Sequence, residues 1–199
     1  DGRISDQKSS KEKMLYDGPL IEMVDRLSAS ASEIFAGSMQ DQGRAIIVGS
    51  TTFGKGTVQT MIDLSRLLAK TEKPGQTKVT IAKFYRANGE STQEMGVVPD
   101  IQLPSFYDED EIGESTEHYV LPWDQIEPAP DYQKPKAFNA LLDQLRKESM
   151  RRFKNGEKHK IYQKQVANTL KLWGIDSMSL NLETRQKELK EKEAENLKL

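Results

Sequence analysis

The sequence contains no cysteine and only two histidines, His118 and His159, among its 199 residues. The absence of cysteine excludes disulfides, thiolate metal sites and a cysteine nucleophile, and two histidines leave little scope for a metal centre. No apolar run approaches the roughly 18 residues that a membrane-spanning helix needs. Neither sign of charge is in clear excess, since 29 lysines and arginines accompany 31 aspartates and glutamates, giving a formal net charge of −2. We therefore expect no metal, no cofactor and no nucleic-acid partner, because a polyanion would meet no net basic field.

The apolar pattern of the first half predicts an α/β fold. Short apolar runs at 20–24 and 45–48 are typical of buried strands, and the residues between them recur at helical spacing until Gly43. Two further segments, 57–64 and 77–86, alternate like strands and are separated by a Pro-Gly turn. The order strand, helix, strand, followed by more strands, favours an α/β layer over a helical bundle.

The composition changes in the second half. The stretch 101–118 carries six acidic residues and no lysine or arginine, which predicts a solvated loop. Two amphipathic helices should follow, the second ending at Gly174, and a charged helix should cover 182–199. Their apolar faces comprise Phe138, Leu141, Leu142 and Leu145 in the first helix, and Tyr162, Val166, Leu170 and Trp173 in the second. At the other end, residues 1–17 are polar and begin at Asp1, so we expect a flexible lead-in and a piece of a longer protein.

The segment G-S-T-T-F-G-K-G, residues 49–56, has two interpretations. It follows a predicted strand and nearly matches the phosphate-binding pattern G-x-x-x-x-G-K-[ST]. However, Gly56 stands where the hydroxyl that holds Mg²⁺ belongs, and the residues after it alternate like a strand instead of beginning a helix. We therefore favour a glycine turn between two strands and predict no nucleotide site.

A serine at the junction of the first strand and the first helix is the second signal. Ser30 lies where amide N–H groups and the positive end of the helix dipole can hold an oxyanion. The alternative is structural, because Ser30-x-x-Glu33 matches a capping box. A serine nucleophile also needs a base. His118 lies in the acidic stretch and His159 in a basic one, and both are typical of solvated surface positions.

Lys55, between two glycines at the end of a buried strand, is the best candidate for the base, since lysine is the other documented base for serine. A lysine amine has an ordinary pKa of about 10.4 and acts as a base when desolvation lowers it. The apolar neighbours Phe53 and Val58 favour such desolvation. Gln59 is neutral and can orient the amine without restoring its proton. Taken alone, these residues leave both the catalytic and the structural interpretation open.

A long stretch of the sequence matches a known signature. D-R-L-S-A-S-A-S-E-I-F-A-G-S-M-Q-D-Q-G-R-A-I-I-V-G-S-T-T-F-G-K-G-T-V-Q, residues 25–59, closely resembles the carboxy-terminal processing proteases, in particular their bacterial tail-specific branch. The similarity continues through F-Y-R-A-N-G-E-S-T-Q-E-M-G-V-V-P-D-I at 84–101 and L-P-W-D at 121–124.

The resemblance implies a role for each candidate residue. Ser30 would be the nucleophile, Lys55 the base and Gln59 the residue that completes the site. The amide N–H of Ala31 would be one oxyanion donor. Asp25, together with the arginine that follows it, could form an ion pair and has no expected catalytic role.

The resemblance also implies an architecture and a setting. Residues 18–125 would form part of a ClpP/crotonase-like ββα protease core, and residues 126–199 a helical C-terminal domain. The family's PDZ domain and its glycine-bearing oxyanion strand have no counterpart in this sequence, so we expect little peptidase activity from these residues alone, and self-association. Substrates would be proteins with apolar C-terminal tails, in the periplasm or cell envelope of a Gram-negative bacterium. The alternative, from another class, is a non-catalytic helical interaction module.

Overall fold

The computed structural model describes residues 15–66, 74–133, 135 and 137–196. Its strands and helices, in chain order, are β1 (Ile21–Val24), α1 (Ala31–Asp41), β2 (Ile46–Gly49), β3 (Thr57–Asp63), β4 (Gln76–Lys83), β5 (Ile101–Gln102), α2 (Ala137–Asn155), α3 (Glu157–Trp173) and α4 (Leu182–Asn196). The predicted α/β core followed by a mostly helical region is confirmed. The predicted lead-in of residues 1–17 lies outside the described residues, except for its last three.

A small parallel sheet carries the core of the first half. β2 lies in the centre and pairs with β1 on one side and β5 on the other, while α1 connects β1 to β2. The buried cluster of this layer consists of Val24, Ala36, Ala45, Ile47 and Val97. Because the carboxyl ends of parallel strands meet at one edge of a sheet, the loops that follow Val24 and Gly49 lie at the same edge. These two loops contain Ser30 and Lys55.

β3 and β4 form a separate antiparallel hairpin. The register shifts between Val58 and Gln59, which marks a β-bulge near the start of β3. Side chains on both faces of this hairpin are exposed, including Val58 at 42% and Ile81 at 62%. The hairpin therefore contributes little to the core formed by the described residues.

The acidic stretch 101–118 is only in part the solvated loop that its composition predicts. Its first two residues form β5, and Gly113 is buried against the guanidinium of Arg26. Arg26 donates hydrogen bonds to the main-chain oxygens of Glu109 and Ile112. The prediction is confirmed for residues 109–111 and 115–118, which are exposed, and wrong at β5 and Gly113. Composition reports on the carboxylates and could not show that carbonyl groups of this stretch bind a buried cation.

The helical region begins with α2 and α3, which pack against each other, and α2 contacts the parallel sheet through β5. Leu142 and Val166 are buried, as the amphipathic pattern predicts, and α3 ends immediately before Gly174. The side chain of Phe138 lies outside the described residues. α4 is exposed along its described side chains. None of the described helices combines the length and the apolar character needed to cross a membrane.

Candidate active site

Ser30 occupies a sharp turn between β1 and α1. Its backbone angles are φ 56° and ψ −110°, which is rare for a residue with a side chain and indicates strain. The turn is stabilised locally by Asp25, whose carboxylate accepts the amide N–H groups of Leu27 at 2.9 Å and Ser28 at 3.1 Å. A strained serine between a strand and a helix is the geometry of a nucleophile elbow, which exposes the hydroxyl at the end of a sheet.

The amide N–H of Ala31 is available to a ligand. Ala31 is the first residue of the 11-residue helix α1 and is exposed. In the part of the chain that the structure describes, no group accepts a hydrogen bond from this N–H. Because the first N–H groups of a helix lack partners within the helix and lie at its positive end, this donor can stabilise an oxyanion next to Ser30.

Glu33 connects the serine turn to the loop that carries Lys55. Its side chain is fully buried, and Oε2 accepts the amide N–H groups of both Ser30 and Lys55 at 2.8 Å. Oε1 accepts the hydroxyl of Thr52 at 2.5 Å and the amide N–H of Gly54 at 2.7 Å. The predicted capping contact from Glu33 to the Ser30 amide is therefore present. The same carboxylate also holds the backbone of Ser30 and Lys55 together, which the sequence pattern did not indicate.

Residues 50–56, which we call the lysine loop, owe their shape to close backbone contacts. Gly54 has φ +94°, and a Cβ added there would lie 2.8 Å from the carbonyl oxygen of Glu94. A Cβ on Gly56 would lie 2.6 Å from the amide nitrogen of Gln93. β3 begins directly after Gly56, so a strand follows the glycines, as predicted. The glycines on either side of Lys55 thus serve a tight turn between strands.

The side chains of the predicted dyad make no hydrogen bond to each other in this structure. Lys55 and Ser30 are both half-buried, and no hydrogen bond joins the hydroxyl to the amine. Gln59 is exposed on β3 directly after the bulge, opposite Thr80, and it makes no hydrogen bond to Lys55. Val58, which was expected to favour desolvation of the amine, is 42% exposed.

Two residues with structural roles at this site were not predicted. The sequence allowed Arg26 to pair with Asp25, but its buried guanidinium donates to main-chain oxygens, including that of Thr52 at 2.6 Å. Gln93 is fully buried, and its Oε1 accepts the amide N–H of Gly56 at 2.9 Å. No sequence signal could have identified either contact, because the partners are main-chain groups far away in the chain.

The histidines lie elsewhere. His118 is exposed, as predicted, whereas His159 is half-buried with its ring centroid 4.2 Å from that of Phe153. The described residues contain no group of three or more carboxylate and imidazole side chains placed to hold a metal ion. The groups available for chemistry at the ends of β1 and β2 are the Ser30 hydroxyl, the Lys55 amine and backbone amides.

Comparison with protein families identifies two families that match this chain. The model of peptidase family S41 matches residues 1–103, and that of the C-terminal domain of tail-specific protease matches residues 107–199. The tail-specific protease of Haemophilus influenzae is 47% identical over 125 residues, which cover 62% of this chain and 18% of that protein. The carboxy-terminal-processing protease of Bartonella bacilliformis is 45% identical over 83 residues, which cover 42% of this chain and 18% of that protein.

One of the similar solved structures is the photosystem II D1 C-terminal processing protease. It is 41% identical, with a TM-score of 0.37, over 43% of this chain and 20% of that one. This chain therefore spans about a fifth of the length of the relatives that it matches.

Proposed function

Because the chain belongs to peptidase family S41, the carboxy-terminal processing serine proteases, we propose that it carries a Ser–Lys catalytic site made of Ser30, Lys55 and Gln59. One observation carries this proposal: the same carboxylate oxygen of Glu33 accepts the amides of both Ser30 and Lys55. The two amide nitrogens therefore lie within twice a hydrogen-bond length of each other. A strained serine turn and a lysine turn meet at that point.

Each group has one step in the proposed mechanism. The Oγ of Ser30 attacks the scissile carbonyl carbon while the neutral amine of Lys55 takes the hydroxyl proton and then delivers it to the leaving amine. The N–H of Ala31 stabilises the tetrahedral oxyanion. Water then hydrolyses the acyl-enzyme, again with Lys55 as the base. Gln59 orients the amine. These side-chain contacts form on substrate binding, since catalytic hydrogen bonds often tighten only in the complex.

The substrates that we propose are proteins recognised through apolar C-terminal tails, and the location is the cell envelope of a Gram-negative bacterium. The support for both is the resemblance of residues 25–59 to the tail-specific branch and the match of residues 107–199 to that branch's C-terminal domain. No metal or other cofactor is needed, because lysine carries the proton and backbone amides stabilise the charge.

Labelling of the full-length protein with a fluorophosphonate tests the dyad. We expect covalent labelling at Ser30 and cleavage of an apolar-tailed protein, both abolished in Ser30→Ala. Lys55→Ala should be equally inactive. Lys55→Arg should be no better, because arginine stays protonated and cannot serve as a base. Ser32→Ala, an exposed position in the first turn of α1, is the matched control and should retain activity.

Two outcomes would contradict the proposal. Wild-type proteolysis by Ser30→Ala would exclude this nucleophile, and activity in Lys55→Arg would reduce the lysine to a source of charge. If no serine is labelled in any variant, the non-catalytic interaction module formed by residues 126–199 becomes the better interpretation.

A further inference from the structure

Arg26 carries a buried charge that the proposed mechanism does not use. Arg26 is 4% exposed, and its guanidinium donates hydrogen bonds to three main-chain carbonyl oxygens. These belong to Thr52 at 2.6 Å, Glu109 at 3.1 Å and Ile112. Removing a cation from water costs free energy that only well-placed partners offset. The buried guanidinium of Arg26 therefore depends on the carbonyl groups of the segments that it joins.

The three acceptors lie on two different segments of the chain. Thr52 belongs to the lysine loop, whereas Glu109 and Ile112 belong to residues 108–117, which we call the acidic segment. Arg26 itself lies four positions before Ser30. One guanidinium thus links the serine turn, the loop that carries Lys55 and the acidic segment.

The acidic segment contacts the lysine loop on both sides of Lys55. The amide N–H of Glu114 donates to the carbonyl oxygen of Phe53 at 2.9 Å. After the lysine, Gly56 donates its N–H to Oε1 of Gln93, and Nε2 of Gln93 donates to Oε1 of Glu114 at 3.0 Å. The lysine loop therefore depends on the acidic segment for two of its backbone hydrogen bonds, one direct and one through Gln93.

Gly113 shows that the acidic segment is shaped to fit Arg26. Its φ is +152°, and a Cβ added there would lie 2.1 Å from the terminal nitrogen Nη2 of Arg26. Any side chain at this position would push the guanidinium away from its carbonyl partners.

We propose that Arg26 is a positioning residue that holds the acidic segment against the lysine loop and so keeps the backbone of Lys55 beside that of Ser30. This inference rests on the proposed dyad. Because the acceptors are main-chain carbonyls, the carboxylate of Glu109 is not needed. The planar fork of arginine is needed, because its three nitrogens each reach a different carbonyl oxygen, whereas the three N–H donors of a lysine ammonium share one nitrogen.

Steady-state kinetics of the full-length protein test the proposal. Arg26→Met should lower kcat about 100-fold, the loss that a displacement of about 1 Å causes, and should leave KM unchanged. Arg26→Lys should remain impaired, whereas Glu109→Gln should have wild-type kcat. Arg44→Met is the matched control, because the Arg44 guanidinium also donates to main-chain oxygens, those of Tyr16 and Gly18, but at the opposite end of the sheet. It should leave kcat unchanged.

Hydrogen exchange separates positioning from a general loss of stability. In Arg26→Met, the amides of Gly54, Lys55 and Gly56 should exchange faster while those of α3 keep their wild-type rates. Faster exchange throughout the protein would assign Arg26 a merely structural role and overturn the proposal. If Arg26→Met does not fold, kcat is measured in Gly113→Ala instead, where the added Cβ should displace the guanidinium. A wild-type kcat in that variant would also overturn the proposal.

The outcomes also separate this inference from the dyad. Wild-type kcat in Arg26→Met, or an equal loss in Arg44→Met, refutes the positioning role and leaves Ser30 and Lys55 untouched. Retained activity in Ser30→Ala and Lys55→Ala refutes the dyad whatever Arg26 does.

Discussion

Replacing Glu33 by glutamine removes one of the two acceptor oxygens that join the serine turn to the lysine loop. Glutamine has nearly the same shape, but an NH₂ group takes the place of one oxygen. If the NH₂ lies on the Oε2 side, it meets the N–H groups of Ser30 and Lys55, and both lose their acceptor. If it lies on the Oε1 side, Thr52 can turn its hydroxyl to accept, but the N–H of Gly54 has no partner.

The magnitude follows from the better of these two orientations. Leaving one buried donor unsatisfied costs about 1–3 kcal/mol, and hydrogen bonds to an amide oxygen are weaker than those to a carboxylate. We therefore expect Glu33→Gln to lower the free energy of unfolding by about 2–4 kcal/mol. That is a large part of the roughly 5–15 kcal/mol that stabilises a typical domain.

Urea unfolding followed by fluorescence measures this loss, with Glu111→Gln as the control. Glu111 is exposed, so the same change of charge there should alter stability by about 0.5 kcal/mol at most. Fluorophosphonate labelling of Ser30 should slow in Glu33→Gln only. If the two variants unfold at the same urea concentration, Glu33 does not connect the two turns and the argument for the site is wrong.

Two further predictions concern the edges of the site. The hydrogen bond from Lys83 to Asp124 lowers the pKa of that carboxyl below its ordinary 3.8. The pair therefore stabilises the fold above pH 3.8, and this stabilisation is lost as the pH falls through the lowered pKa. An acid titration of tryptophan fluorescence should show this step, and Asp124→Asn should lack it; an identical titration in the variant would contradict the assignment. Gly56→Ala should destabilise the fold by about 1–3 kcal/mol, because its Cβ would lie 2.6 Å from the amide nitrogen of Gln93. Thermal unfolding measures this loss, and Gly174→Ala, whose added Cβ would lie 3.8 Å from the nearest atom, should be neutral in that assay.

The sequence alone sufficed to locate the elements and the candidate residues. Apolar spacing predicted β1, α1 and β2 to within a few residues, because burial of one face imposes its own period on a helix or a strand. The capping pattern from Ser30 to Glu33 was also visible, since a cap joins residues three apart. The proposed roles of Ser30, Lys55 and Gln59 came from the resemblance of residues 25–59 to a protease family and remain predictions.

Local patterns failed where a side chain had a choice of partners. Asp25 and Arg26 are adjacent and opposite in charge, yet Asp25 accepts amides of its own turn and Arg26 reaches distant carbonyl oxygens. Alternation predicted β3 correctly but could not show that Val58 remains 42% exposed. Periodicity reports which residues share a face, and only the packing of other layers decides whether that face is buried.

Tertiary structure alone decided how the two turns are held together. Glu33 serves the lysine loop as well as its own helix, and Arg26 and Gln93 connect that loop to the acidic segment. Most of these contacts involve backbone N–H or C=O groups; the exceptions are the Thr52 hydroxyl on Glu33 and the hydrogen bond between the side chains of Gln93 and Glu114. Because every residue other than proline carries the same two groups, the sequence does not indicate which of them will be hydrogen-bond partners. They become partners only when the strands of the parallel sheet bring the loops after Val24 and Gly49 to one edge.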